Sequence, residues 1–596
     1  MTTSENKKML PDPNRISLPE VINISQELER SGEALDAVKL LRTWLQVNPN
    51  SSLSFAGWYE LGRTLQNLKQ YSKAEASFRA AIEQKPTLFE AHVALGKTLE
   101  SQGKKEEAIN VWLSALPIEK IQIELLNNIA RVQESTSNLV KIEETLLRSL
   151  RLDSQQDDVL TTLLQVRQKL CRWPVISQEL PATLSRQREC VGPLMSLALF
   201  DDPKVSLRSA RTFLKSKDLL TKSKSPFEPS TIRNEKIHVA FLSADIRLHA
   251  TSVFFSPLLT LFDRKAFTVS ILDLTTTPEA FPEFRENLIN NVDRHILLNN
   301  LNDSEAVQIC RSLNIDILID LAGLTSGARP RIVSERIAPV QIGYIGFLSS
   351  TGIPDLDYVI STEDLFPKTT GAFSERPLML NGPYLVMDKD PGTAEFVSRT
   401  QLGISESAFV FGALLNSYKI NNQLFSAWME ILHKTRDSIL WLVEDNDISK
   451  MNLLNTAAKL GVEKERLIFS KRVHPALYRN QLKLCDIFLD AFPYGSGATA
   501  RDAIHANLPI LTKPGSTMMS RLSSHMMSQL GIVDLIAQNV EEYIDKAVHI
   551  ANNRDLSGAL RMKMKSLKND SNLFNQEKFV EEFYRVILNA YESVKK

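Results

Sequence analysis

Apolar residues recur at helical spacing through the first quarter of the chain, and part of the pattern repeats. Trp58, Leu61, Gly62, Leu65, Ala74, Phe78, Ala81 and Pro86 form one set. A shift of 34 residues gives His92, Leu95, Gly96, Leu99, Ala108, Trp112 and Ala115, and only the closing proline fails, replaced by Lys120. An earlier partial copy runs through Ala37, Leu41, Trp44 and Pro49, and a degraded one through Ile129, Ile142 and Leu146. Helical pattern continues to about residue 213 and gives way at 215–236 to a Lys- and Ser-rich stretch with Pro226 and Pro229, which reads as a linker. Beyond it the period changes, and short β-branched runs alternate with helical segments. The expected strands are Ile237–Ser243, Thr268–Leu274, Ile317–Asp320, Val340–Ile345 and Tyr358–Ser361, then Phe409–Leu415, Ile439–Glu444, Arg466–Ser470, Ile487–Asp490 and Pro509–Thr512.

A 34-residue helix–turn–helix period with these landmarks is the tetratricopeptide period. Small residues at 62, 74 and 81 let two antiparallel helices approach, and the large ones fill the space between them. Alternating strand and helix implies parallel sheets covered on both faces, and two sets of strands imply two doubly wound lobes. The expected fold class is therefore α/β with an all-α N-terminal part. The expected divisions are repeats over 15–160, a helical connector over 161–214, the linker over 215–236, and lobes over 237–395 and 396–596.

Composition narrows the function. Seventy basic residues balance seventy acidic ones, which argues against a protein living on nucleic-acid backbone. The four cysteines are scattered, fitting neither a disulfide framework nor a zinc site and pointing to a reducing, cytoplasmic setting. The start carries no apolar signal core, and no apolar run is long enough to span a membrane.

Ligands of doubly wound sheets bind beyond the carboxyl ends of the strands, so the segments after each strand carry the candidates. The first is Ser243–Ser252, where Asp245 and His249 share a strand-to-helix loop and His249 could serve as a base near neutrality or bind a sugar or phosphate oxygen; capping or stabilising the loop is the other reading. The second is Leu415–Lys419, where Asn416 is polar and Lys419 could meet a diphosphate as a point charge. The third is Asp490–Asp502, a turn with Gly495 and Gly497 opening a helix. Backbone N–H groups there suit an anion, Thr499 offers a hydroxyl or an N-cap, and Asp502 could accept from ribose hydroxyls. The fourth is Thr512–Arg521, where Gly515 permits close approach, Ser516 and Thr517 can donate to a ligand or cap a helix, and Arg521 could serve a salt bridge. Nothing has metal-ligand spacing.

The chain resembles the SPINDLY/O-GlcNAc transferase family, especially its bacterial members. The landmarks are Cys171–Pro174, Ala198–Pro203, Ser243–His249, Gly327–Arg329, Ala338–Tyr344, Asn416–Lys419, Ile439–Leu442 and Tyr494–Asp502. The resemblance implies a GT-B domain that moves a sugar, GlcNAc from UDP-GlcNAc or fucose from GDP-fucose, to Ser or Thr hydroxyls of proteins, with inversion and without a metal or other cofactor. It implies His249 as the active-site histidine, Lys419 on the donor diphosphate, Asn416 as a donor contact, Thr499 on the diphosphate and Asp502 on the ribose. Gly497 and Ala498 replace a common His-Thr pair in the donor site, Tyr478 a common histidine, and Gly346–Gly352 a common Gly-Tyr-Pro-Gly-Thr run; Ala322 and Leu324 are less polar than usual. These departures bear on donor identity. A polypeptide acceptor along the repeats is the expected partner, and the face around Trp58 is a surface for self-association. The rival readings are a tetratricopeptide scaffold with a decayed transferase domain and a two-lobed enzyme acting on a small molecule.

Overall fold

The computed structural model describes residues 12, 15–134, 138–220, 227, 235–277, 280–388 and 397–595. Most of the expected linker and the expected lobe junction lie outside them. The chain divides into two units. One comprises Met1–Val166 and Gln178–Thr183, the other Arg167–Ser177 and Leu184–Lys596.

The first unit is helical. It contains α1 (Leu18–Arg30), α2 (Ala34–Val47), α3 (Ser54–Asn67), α4 (Tyr71–Gln84), α5 (Phe89–Ser101), α6 (Lys105–Ala115), α7 (Gln122–Glu134) and α8 (Leu139–Leu152). Ser17 and Glu20 form a capping box at the start of α1, with proline in its first turn. The repeat logic is visible in the core. A Cβ on Gly62 would lie 2.7 Å from the Phe78 ring, and one on Gly96 only 2.1 Å from Trp112, so each helix pair closes over an aromatic ring that leaves room only for glycine. Lys120, at the position of the missing proline, lays its ammonium 4.8 Å from the Phe89 ring; Lys85 sits 4.3 Å from Phe55, which is Phe89's counterpart one repeat earlier. Trp58 is partly buried against the same core.

The second unit carries two parallel sheets among the described residues. The first contains β1 (Ile237–Ser243), β2 (Phe267–Asp273), β3 (Arg294–Leu297), β4 (Ile317–Asp320), β5 (Val340–Gly343), β6 (Tyr358–Ser361) and β7 (Arg376–Met379), in the order 3-2-1-4-5-6-7. The second contains β8 (Phe409–Ala413), β9 (Ser438–Val443), β10 (Leu467–Ser470), β11 (Ile487–Leu489) and β12 (Ile510–Leu511), in the order 10-9-8-11-12. Central strands such as β1, β4 and β8 are buried along nearly their whole length, as parallel strands covered on both faces must be. In each sheet the chain builds outward from a central strand and then returns to its other side, so the direction of winding reverses between β1 and β4 and between β8 and β11.

Two edge strands escaped the sequence reading. β3 is exposed at both ends and half-buried between, and β7 contains Pro377, which an edge strand tolerates. The expected second lobe also does not run to residue 596. The helix Gln576–Lys595 returns to the first sheet, where Tyr584 stacks on Phe267 at 4.8 Å and its hydroxyl receives the Asp263 N–H at 2.7 Å. Its apolar stripe, Phe579, Phe583, Val586, Ile587 and Ala590, is buried.

Candidate active site

Both reversal points open onto one cavity of about 410 Å³. From the first sheet come Ala244, Asp245, Arg247 and His249 after β1, Thr325–Gly327 after β4, and Ile345, Gly346 and Leu348 after β5. From the second come Asn416, Tyr418 and Lys419 after β8, and Tyr494, Gly497, Ala498 and Thr499 after β11. This is the placement expected for a ligand of doubly wound sheets, at the crevice where the winding reverses.

His249 is the N-cap of the helix Ala250–Leu261, α9. Its Nδ1 lies 3.4 Å from the Thr251 backbone nitrogen and 3.3 Å from Asp245 Oδ2, whose other oxygen accepts from Arg247 at 2.8 Å. Burial holds the imidazole pKa below its usual value; the Asp245 carboxylate opposes that and the Arg247 guanidinium adds to it.

Lys419 ends the short turn Ser417–Lys419, is only 9% exposed, and holds its ammonium 4.8 Å from the Tyr494 ring. The turn is fixed from beneath: the Ser417 N–H donates to Asp445, and the Ser417 hydroxyl donates to the Lys169 carbonyl at 2.8 Å. Asn416 Oδ1 accepts from Arg472 at 2.5 Å. The loop opposite is equally constrained. Asp490, wholly buried at the end of β11, accepts from the Ser496 N–H at 3.0 Å and from the Thr512 hydroxyl at 2.7 Å.

Gly497 caps the helix Ala498–His505, α10, so the N-cap expected at Thr499 falls two residues earlier. The first N–H groups of α10 lack intrahelical partners and border the cavity. The Thr499 side chain hydrogen-bonds the half-buried Tyr478, whose hydroxyl also donates to the Leu414 carbonyl at 3.0 Å. A Cβ on Gly497 would stand 3.2 Å from Leu522, so this wall is apolar and closely packed.

Two expectations change. Asp502 does not line the cavity; its carboxylate sits 2.9 Å from Arg501 and 3.9 Å from Arg479, and burial pushes its pKa up against those cations. The fourth segment presents no open anion nest either. Asp201 already accepts from the Ser516 N–H at 2.6 Å, Thr517 caps the next helix, Met518–Gln529 (α11), and Arg521 donates to the carbonyls of Gly515 and Phe366. That segment contributes Met519 instead, and α11 contributes Leu522.

The sequence reading missed Tyr384 and Ile345. Ile345 has φ +61°, a strained value for a β-branched residue. Its N–H donates to the Tyr384 hydroxyl at 3.0 Å, and a Cβ on the following Gly346 would lie 1.8 Å from the Leu321 carbonyl oxygen. The available signal was position after β5, the rule that located the other segments. Among the described residues no group of three or more His, Cys, Asp or Glu side chains is placed to hold a metal ion, and no helix is long and apolar enough to cross a membrane.

A family model described as glycosyl transferase family 41 matches residues 202–393 and 386–583, well over half of the chain. The chain belongs to glycosyl transferase family 41. A tetratricopeptide-repeat model matches residues 55–88 of this family 41 member. Its curated relatives include the probable UDP-N-acetylglucosamine–peptide N-acetylglucosaminyltransferase SEC of Arabidopsis thaliana, 24% identical over 71% of this chain and 46% of the relative. The probable UDP-N-acetylglucosamine–peptide N-acetylglucosaminyltransferase SPINDLY of the same plant is 26% identical over 60% of this chain and 40% of the relative. The family 41 chain thus spans about half the length of the curated relatives it matches, or less. A solved structure of a Thermobaculum terrenum O-GlcNAc transferase mutant aligns over 98% of this chain and 99% of that one, with a TM-score of 0.61 at 20% identity. That likeness shows the fold, tetratricopeptide helices followed by a GT-B pair of lobes.

Proposed function

We propose that this family 41 chain is a protein glycosyltransferase that moves GlcNAc from UDP-GlcNAc to Ser or Thr hydroxyls of polypeptides bound along its repeats. The observation that carries this is the convergence of His249, Asn416, Lys419, Gly497, Ala498 and Thr499 on one cavity at both reversal points. In this reading the diphosphate lies between the Lys419 ammonium and the first N–H groups of α10. An acceptor hydroxyl attacks the anomeric carbon, the bond from that carbon to the diphosphate oxygen breaks, and its electron pair leaves with the nucleotide. The hydroxyl proton passes to His249. Charge on the departing nucleotide is met by Lys419 and helix-terminal amides, so the reading calls for no metal. Asp502 serves a ribose only through rotation away from Arg501. The same reading places the protein in the cytoplasm, without a nucleic-acid partner, and leaves the Trp58 face as the surface for self-association.

A thermal-shift panel with UDP, UDP-GlcNAc, UDP-glucose, GDP and GDP-fucose tests it. At ligand about 100-fold above Kd, binding stabilises by about 2.7 kcal/mol. The expected result is a UDP-series shift that is lost in Lys419→Ala, together with a fall in peptide glycosylation of about 100- to 1,000-fold. GDP-fucose is the second donor of interest, because Gly497 against Leu522 leaves no ring there to stack on a uracil. Normal turnover in Lys419→Ala overturns the reading, and a folded protein that shifts with no donor is a scaffold.

A further inference from the structure

The turn that carries Lys419 is held from below by a residue that does not itself line the cavity. Gln168, in the last turn of the helix Asp157–Lys169, is wholly buried. Its amide nitrogen donates to the Tyr418 carbonyl at 2.8 Å and to the Ile420 carbonyl at 3.0 Å, one on either side of Lys419. Both amide hydrogens are thereby spent on the two carbonyls that bracket the lysine. Gln168 Oε1 is buried and accepts nothing among the described residues. A stranded buried acceptor lowers stability, and a methionine of similar length would avoid it. What methionine lacks is the pair of donors, so the donors are what an amide contributes at this position.

The residues after Gln168 reinforce the contact. The Lys169 carbonyl receives the Ser417 hydroxyl at 2.8 Å, and the Cys171 thiol, kept protonated by burial, donates to the Ser417 carbonyl at 3.8 Å. The Leu170 carbonyl is tied elsewhere, to the Asn452 amide at 2.8 Å. All of these residues belong to the second unit. On the cavity side of the turn, Tyr418 meets the Tyr494 ring edge-on at 5.5 Å, and Lys419 holds its ammonium over the same ring. Gln168 therefore fixes the turn on one side and Tyr494 on the other. Lysine ends in a point charge on a flexible stem, and it reaches a set position only where its backbone is set.

We propose that Gln168 is a positioning residue that sets the Lys419 ammonium for the donor diphosphate by clamping the carbonyls on both sides of it. The proposal rests on the proposed role of Lys419 at the diphosphate. Gln168 touches neither donor nor acceptor; its effect passes through the turn. Loss of the clamp weakens what depends on the diphosphate and spares what depends on the nucleoside alone.

The test compares wild type with Gln168→Met, Gln168→Glu and Asn452→Ala. Asn452→Ala loosens the same segment at Leu170 and leaves the Tyr418 and Ile420 carbonyls paired. One readout is the ratio of UDP to uridine affinity by calorimetry, with GDP and guanosine in their place if the wild type takes only guanine nucleotides. The other is the rate of Lys419 acetylation by acetic anhydride without nucleotide, read by peptide mass spectrometry. Gln168→Met is expected to lower the ratio about 10-fold and kcat for peptide glycosylation about 10- to 100-fold, to leave uridine affinity unchanged, and to speed acetylation of the loosened lysine. Gln168→Glu offers an O–H donor only when its carboxyl is protonated, so its ratio moves toward the wild-type ratio as the pH is lowered, and that of Gln168→Met does not. Asn452→Ala lowers the thermal midpoint and leaves ratio and acetylation rate at wild-type values. An unchanged ratio and acetylation rate in Gln168→Met, or equal changes in Asn452→Ala, make Gln168 a structural residue only and overturn the proposal. If Gln168→Met does not fold, Gln168→Glu decides, and a ratio in that variant that ignores pH overturns it. A wild type that binds no nucleoside diphosphate, with acetylation faster in the Gln168 variants and unchanged in Asn452→Ala, faults the reading of function and leaves the clamp standing.

Discussion

At the scale of single residues, the site shows how charge and sterics assign side chains that sequence alone leaves ambiguous. Ser516 and Thr517 were open to two roles, ligand donor or helix cap, and Asp201 decides between them by placing its carboxylate on the Ser516 N–H. A Cβ on Gly515 would meet that carboxylate at 2.2 Å, which ties the glycine to Asp201 rather than to a ligand. Asp201→Ala strands the Ser516 N–H and is expected to lower stability by about 1 kcal/mol, whereas Asp201→Asn keeps an oxygen there and stays within about 0.5 kcal/mol. Thermal midpoints of the two variants check this. Stabilisation of Asp201→Ala, but not of wild type, by inorganic phosphate would reassign the loop to anion binding. His249, Lys419 and Thr499 lie in the segments that follow β1, β8 and β11, and position in the alternating pattern brings all three to one cavity. Asp502 stands apart from the other candidates because its distance into α10 carries its carboxylate toward Arg501 and Arg479.

At the scale of elements, burial decides what can be read. The buried runs β1, β4 and β6 match their expected ranges residue for residue, because a continuous apolar segment bounded by polar ones has few alternatives. The missed strands β3 and β7 lie at the sheet edges, where one side meets solvent and the apolar signal halves. Burial also leaves a titrating group at the end of β4. Asp320 is wholly enclosed, accepts from the Ala322 and Gly323 N–H groups at 2.9 and 3.1 Å, and has its pKa pushed up to about 6 by desolvation, against the pull of those amides. The folded state therefore binds this proton more tightly than the unfolded chain. Its stabilising effect is complete below the unfolded value of 3.8 and is lost as pH rises through about 6, amounting to about 3 kcal/mol. Asp320→Asn, with its oxygen on the same amides, cannot ionise. Between pH 4 and pH 7 the wild-type thermal midpoint should fall relative to that of the variant; parallel curves would mean that the Asp320 pKa is not raised in the fold.

At the scale of the whole molecule, two kinds of periodicity lead to two kinds of surface. The 34-residue repeat stacks helix pairs whose closeness depends on Gly62 and Gly96, and such stacks present extended faces suited to polypeptide. The strand–helix alternation builds two sheets whose reversal points meet in one cavity. Neither outcome needs a motif of high specificity; each follows from pattern, and this is why the fold class was legible while the return of the Gln576–Lys595 helix to the first sheet was not. That return is a long-range packing choice between two apolar faces of similar character. The division of labour can be tested by calorimetry of the full chain with UDP. Every cavity residue belongs to the second unit, so a nucleotide bound there stabilises that unit selectively. UDP at about 100-fold above Kd should shift the transition assigned to the second unit by the equivalent of about 2.7 kcal/mol and leave the helical unit's transition in place. The assignment comes from Gly96→Ala, which drives a methyl group into Trp112 and so lowers the helical unit's transition. A shift of the helical transition by UDP would show either that the two units unfold together or that nucleotide binds the repeats, and Lys419→Ala separates these, since it removes the shift only in the first case.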